Sequence, residues 1–200
     1  MVMLAVVCLA CLSGCPGTAK SIIGSWIWIE AQTPGDSAAG TNALNANRVR
    51  KSLVFTKDDG FTYTEERFLS DRLGDNADAQ YSWQVVYKVE GTYQTGAFKR
   101  ECDECAMLGL DTQLLVNVAR YSELKQEGDW VGGVLMYTYS LETHEADPAT
   151  NPLVVRALLG MTPFDELLVD WAEGNEWDKD LGFEDFNCSM LAPETYTRVE

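Results

Sequence analysis

Cys102-Asp103-Glu104-Cys105 is the tightest grouping of reactive side chains in the sequence. Two thiols at this spacing make a redox pair when they open a helix after a strand, because the helix N-terminus lowers the thiol pKa. Here the pair lies between strand-like runs, and its two acids push thiol pKa upward. The spacing therefore points to a loop disulfide, with Cys188 as the third candidate and Cys188 to Cys102 or Cys105 as the favoured pairing. Adding His144, the one histidine, gives a Cys₃His set of the kind that holds zinc. No second close pair of ligands fixes it, so no metal is expected. His144 itself sits in a polar stretch, Glu142–Asp147, and no Gly-x-Ser-x-Gly accompanies it. Asp165 to Asp185 holds nine acids against one base, Lys179. Asp178, Asp180, Glu184 and Asp185 offer oxygens to Ca²⁺, but twelve positions counted from Asp178 end on Ser189 where an EF-hand places glutamate. No carboxylate pair is singled out for glycoside hydrolysis. Phosphate loops, dinucleotide fingerprints and zinc-protease helices are missing from the sequence. The expectation is a protein that is not an enzyme, with no catalytic residue and no cofactor.

The aromatic residues suit binding better than reaction. Trp26, Trp28, Phe55, Tyr63, Trp83, Tyr87, Tyr137 and Tyr139 all fall on strand-like runs. In a small barrel, inward side chains either fill the interior or line a ligand cavity. An aromatic lining with a few hydroxyls suits an apolar or amphipathic ligand. Tyr63, Trp83, Tyr87, Tyr137 and Tyr139 are the candidate lining.

The elements that must position them are strands. Ser25–Ile29 reads as a buried strand. Lys51–Thr56 leads through Lys57-Asp58-Asp59-Gly60 into Phe61–Thr64, and an Asp-Gly pair between β-prone runs signals a hairpin. Tyr81, Trp83, Val85, Tyr87 and Val89 recur at period two, which predicts a strand with one buried face. Gly91–Tyr93 continues it past a kink. Leu114–Tyr121, Val134–Leu141, Phe164–Trp171 and Thr195–Val199 complete the set, with Leu135, Tyr137, Tyr139 and Leu141 on one side of theirs. Leu153–Leu159 reads as a short helix, and Ser37–Asn47 as a loop. Strands joined by turns, without alternating long helices, exclude a parallel α/β sheet. The expected class is all-β: an antiparallel up-and-down barrel of about eight strands, with a two-sheet sandwich as the alternative.

The N-terminal run Met1–Leu12 is apolar and uncharged, too short to span a bilayer, and ends in small residues as a secretory signal peptide does. Leu12-Ser13-Gly14-Cys15 resembles the bacterial lipobox. That resemblance implies cleavage before Cys15 and acylation, as with palmitate, of its side chain. It divides the chain into a signal peptide at 1–14, a lipidated tether at 15–22 and one domain at 23–200. The remaining 186 residues (200 − 14) are enough for one real core. A formal charge of −16 repels nucleic acid and anionic headgroups, so attachment would come from acyl chains. Pro16 follows the cysteine where an inner-membrane retention signal would place Asp, so the expected location is the cell envelope, anchored in the outer membrane. A small apolar ligand is the expected partner; the alternative is a periplasmic or surface protein-interaction module, of inhibitor or adhesin type, that uses the acidic 165–185 face or the cysteine loop, with a protein partner the sequence does not name.

Gly24-Ser25-Trp26 matches the Gly-x-Trp of the lipocalin signature, and Arg198 on the last strand matches its other half. Leu53-Val54-Phe55, Asp59-Gly60-Phe61 and Gly91-Thr92-Tyr93 resemble landmarks of bacterial lipocalin-like domains. The resemblance covers about residues 24–199. It implies a barrel in which Arg198 packs over Trp26 at the base, and a lipid-like ligand inside. The insert at 98–111 and the acidic 165–185 stretch depart from that pattern.

Overall fold

The computed structural model describes residues 21–29, 48–72, 79–97, 109–147, 153–171 and 193–200. Every regular element among them is a strand: β1 (Gly24–Ile29), β2 (Val49–Phe55), β3 (Gly60–Ser70), β4 (Tyr81–Ala97), β5 (Leu110–Val131), β6 (Val134–Glu145), β7 (Val154–Met161), β8 (Glu166–Trp171) and β9 (Glu194–Val199). All pairings are antiparallel, in the order β4-β3-β2-β1-β9-β8-β7-β5, and β4 also pairs with β5. That last ladder closes eight strands into a lipocalin-like up-and-down barrel, and the sandwich alternative falls. Closure satisfies the backbone groups that an open sheet leaves at its edges.

The ninth strand, β6, is explained by the length of β5. Leu110–Asn117 of β5 pairs with β7, while Arg120–Val131 of the same edge pairs with β6. The β5–β6 hairpin therefore continues past the barrel as an arm. The outer part of the β3–β4 hairpin is a second arm, and the two touch. Tyr137 N donates to the Asp71 carbonyl at 2.7 Å, and the Tyr139 hydroxyl donates to the Ser70 carbonyl at 2.6 Å.

Leu153–Leu159 belongs to strand β7 and not to a helix. A short apolar run has no decisive period, and two adjacent valines favour extended backbone. The run lies between β5 and β8, with Val155, Ala157, Leu158 and Leu159 all buried. The Asp59-Gly60 signal does mark a hairpin: Asp59 takes φ 60° and Phe55 pairs with Phe61. Aspartate tolerates this left-handed conformation better than most residues.

At the end where β1 starts, the interior is filled. Trp26, Leu53, Phe55, Phe61, Tyr93, Leu114, Val116, Leu159 and Leu167 form one buried cluster. Arg198 closes this end, its guanidinium 4.1 Å from the Trp26 ring centroid. It donates to Asp165 Oδ2 at 2.9 Å and to the carbonyls of Ile23 and Ser21 at 2.8 Å each. The Trp26 indole donates to the Ile22 carbonyl at 2.7 Å. Gly24 makes room for the guanidinium: it holds φ 139°, and a Cβ there would lie 2.6 Å from Arg198 Nη1.

Candidate functional site

Residues opposite one another in an antiparallel ladder share a face of the sheet. The ladders from β1 to β6 therefore stack the interior in rows. The lowest is Gly24, Phe55, Phe61, Gly91 and Val118. The next is Trp26, Leu53, Tyr63, Val89, Tyr121 and His144, and above it come Trp28, Lys51, Glu65, Tyr87, Glu123 and Glu142. Along this axis the interior changes from apolar, to aromatic, to charged. The third row lies at the open end, where Glu194 of β9 reaches Lys51.

Inward-facing ions are rare in a barrel interior; Lys51, Glu65 and Glu194 are paired here, while Glu123 and Glu142 of the same row are exposed. Lys51 donates to Glu194 Oε1, and its ammonium lies 4.8 Å from the Trp28 ring. Glu194 Oε2 accepts from the Tyr196 hydroxyl at 2.7 Å. Glu65 accepts from the Tyr63 hydroxyl at 3.2 Å and from Arg67 at 3.0 Å. Lys51, Glu65 and Glu194 keep only 19%, 17% and 21% of their side-chain surface in solvent. The aromatic walls meet edge to face, with Tyr63 5.7 Å from Trp171 and 6.4 Å from Tyr87. Tyr121 stands 6.5 Å from Tyr87 and stacks on His144 at 5.0 Å.

The phenols here are held neutral. Burial pushes Tyr63 far above its ordinary value, and the Glu65 and Glu194 charges push it further. Tyr87 is raised by burial and then by Glu123, and Tyr196 by burial and then by Glu194. The well thus presents neutral hydroxyls, electron-rich ring faces and carboxylates. His144 faces a ring, not a hydroxyl nucleophile. Among the described residues no group of three or more His, Cys, Asp or Glu is placed to hold a metal ion.

The five aromatics expected to share one lining are divided by the register. Tyr63 and Tyr87 face the barrel interior. Trp83, Tyr137 and Tyr139 face the other side of the sheet. The reason on β4 is a bulge: Glu65 pairs with Tyr87 but Glu66 with Val85, so Val86 is extra. The single inserted residue reverses the faces beyond it. Trp83 consequently sits opposite Phe68, 5.4 Å away, with the Arg50 guanidinium 4.7 Å from its ring. Arg50 in turn pairs with Glu66 at 2.6 Å. On β6 the odd-numbered residues lie opposite in face to His144, which carries Tyr137 and Tyr139 onto the same outer side. Gly24, Trp26 and Arg198 meet at the closed end as described above. Cys15, Cys102, Cys105 and Cys188 lie outside the described residues, as do most of the 165–185 acids and the Ser37–Asn47 loop.

Sequence reasoning missed Lys51, Glu65 and Glu194. The signal was present, because Lys51 continues the inward series Phe55, Leu53 by two, and Glu65 continues Phe61, Tyr63 by two. Trp171 and Tyr121 were on recognised strands but were not picked out as lining. Comparison with protein-family models, with curated proteins and with solved structures returned no match.

Proposed function

We propose that this protein is a membrane-anchored, lipocalin-like lipoprotein that binds a small apolar or amphipathic molecule at the open end of its barrel, without catalysis. The observation that carries the reading is the change of interior rows. A packed apolar floor supports a layer of half-buried tyrosines and tryptophans, with inward ions at its rim. Filling alone would not require Lys51, Glu65 and Glu194 to point inward. The lipobox-like sequence supplies the anchor, placing the protein in the cell envelope with the outer membrane favoured.

Native mass spectrometry on the Cys15→Ser protein, purified without detergent from an exporting host, tests the reading. A co-purified small molecule that disappears in Tyr87→Glu and persists in Tyr137→Glu locates binding in the barrel. A clean apo mass, with no uptake from a lipid extract, sinks it. A second reading is a protein-interaction module, and the arms favour it. Trp130 and Val131 are 72% and 62% exposed at the tip of β5–β6. Loss of a captured protein on Trp130→Ser, with no small molecule bound, would select that reading.

A further inference from the structure

The β5–β6 arm ends in six uncharged residues, Trp130-Val131-Gly132-Gly133-Val134-Leu135. Val131 pairs with Val134 and Trp130 with Leu135, so the tip is a tight two-residue hairpin. Gly132 and Gly133 take φ 59° and 83°, the positive values that such a turn requires. A Cβ on either glycine would meet no atom within 4 Å, so the turn is open on every side. Adjacent strand residues point to opposite faces. Trp130, 72% exposed, and Val131, 62% exposed, therefore make both faces of the ribbon apolar at its end. Moving back from the tip, the first ions are Asp129 on β5 and Glu142 on β6. Phe164 is more exposed still, at 84%, but Asp165 and Glu166 follow it directly, and a single exposed ring is ordinary surface. The arm is also braced: Tyr137 N and the Tyr139 hydroxyl bond the β3–β4 hairpin. Eight strand steps (131 − 123), roughly 27 Å at about 3.4 Å each, separate Val131 from Glu123 at the rim.

We propose that this tip is a membrane contact: Trp130, Val131, Val134 and Leu135 enter the headgroup region of a bilayer of zwitterionic lipid. A groove on a protein takes one face of a ribbon, whereas a bilayer takes an end that is apolar all round. Tryptophan suits that depth, because its ring is apolar and its N–H stays wet. Entry is shallow. The Val131–Val134 pair satisfies the inner backbone groups, but the outer edges of the two strands have no ladder there among the described residues and need water. The charge of −16 repels anionic headgroups, so the lipid surface that fits is neutral overall. The contact is also distinct from an acyl anchor at Cys15. Ser21 and Ile23 lead into the barrel at its closed end, and the tip lies past the open end. A bilayer met by the tip is therefore on the mouth's side of the barrel. The proposal goes beyond the barrel-binding reading and stands or falls apart from it.

Co-sedimentation of the Cys15→Ser protein, expressed without residues 1–14, with phosphatidylcholine vesicles tests this, since neither acyl chains nor the apolar leader is then present. The protein should pellet with the vesicles, and its tryptophan emission should shift to the blue. Phosphatidylglycerol mixed into the vesicles should weaken binding at low salt. Trp130→Ser and Val131→Asp should each weaken partitioning about tenfold, and Trp130→Ser should also remove the emission shift. Phe164→Ser, at the closed end, should change neither. Both tip positions are exposed, and circular dichroism checks that each variant keeps its fold. Failure to pellet with the vesicles, or pelleting that survives both tip variants, overturns the inference. So does an equal loss in Phe164→Ser, which would make the binding unspecific to the tip. Self-association that Trp130→Ser abolishes, without vesicle binding, overturns it in favour of a second copy of the chain.

Discussion

Two indoles on β1, Trp26 and Trp28, each lie beside a cation that is paired with a carboxylate, yet they belong to opposite ends of the barrel. At the closed end Arg198 lies over Trp26 and bonds Asp165. At the open end Lys51 lies over Trp28 and bonds Glu194. The difference is in what else each cation holds. The planar guanidinium has donors to spare and ties the carbonyls of Ser21 and Ile23 into the same knot. The ammonium is a point charge whose carboxylate partner is shared with the Tyr196 hydroxyl. The first arrangement fixes backbone entering the barrel. The second fixes side chains only. Similar chemistry thus makes a structural lock at one end and a polar, adjustable rim at the other.

The comparison breaks most visibly if the two indoles matter equally to stability. Trp26 is fully buried, and Trp26→Ala should cost about 3–5 kcal/mol as lost packing and a cavity. Trp28 is only partly buried, so Trp28→Ala should cost about 1–2 kcal/mol. Urea unfolding of both variants decides it, and equal losses would mean that both ends are structural.

A swap of the cations sharpens the point. Arg198→Lys cannot bond Asp165, Ile23 and Ser21 together, and should cost roughly 1–3 kcal/mol. Lys51→Arg keeps a partner in Glu194 and ties no backbone, so its effect should stay within about 1 kcal/mol. Gly24→Ala belongs with the first variant, since it strains φ 139° and pushes a methyl into the guanidinium. Its cost should be about 1–3 kcal/mol. Thermal midpoints measured side by side test the ordering, and a Lys51→Arg loss as large as that of Arg198→Lys would contradict it.

The closed end was legible from the sequence because its determinants are local and lie near the chain's two terminal strands. Gly24 and Trp26 are spaced by the strand repeat, and Arg198 sits on the partner strand. The strand count and the Asp59-Gly60 hairpin were legible for the same reason, since turn chemistry and period two are written in neighbouring residues. The well was only half legible. Tyr63 and Tyr87 were readable as inward positions, but Trp83 was misplaced by the Val86 bulge. Nothing in the run Tyr81–Val89 announces which residue will be extra, because a bulge is decided by how β4 curves against β3. The course of β5 was hidden similarly. A strand of 22 residues with two partners on one edge has no local signature, so Tyr137 and Tyr139 were assigned to a cavity when they line an arm. Leu153–Leu159 was misread because its neighbours, not its period, make it a strand.

The smallest effect separates the ends by pH. Tyr63, Tyr87 and Tyr196 cluster at the open end, and burial raises each far above the ordinary phenol value of 10.0. In the unfolded chain these groups lose their protons near pH 10, while in the barrel they keep them. Unfolding then releases protons, so rising pH favours the unfolded state. The stabilisation is fully present below about pH 10 and is lost above it, by up to about one proton per phenol. At neutral pH the stabilisation is constant, because both states keep these protons. Tyr93, at the closed end, is raised by burial and then by the Asp59 charge, which makes Tyr93→Phe the control. Urea midpoints should be flat from about pH 7 to 9 and fall from about pH 10 upward. Tyr196→Phe should flatten that fall more than Tyr93→Phe does, and Tyr63, Tyr87 and Tyr196 should add phenolate absorbance only as the protein unfolds. A Tyr93→Phe variant that flattens the alkaline limb as much as Tyr196→Phe would remove the distinction between the two ends, which rests on the deeper burial of Tyr196 and its hydrogen bond to Glu194.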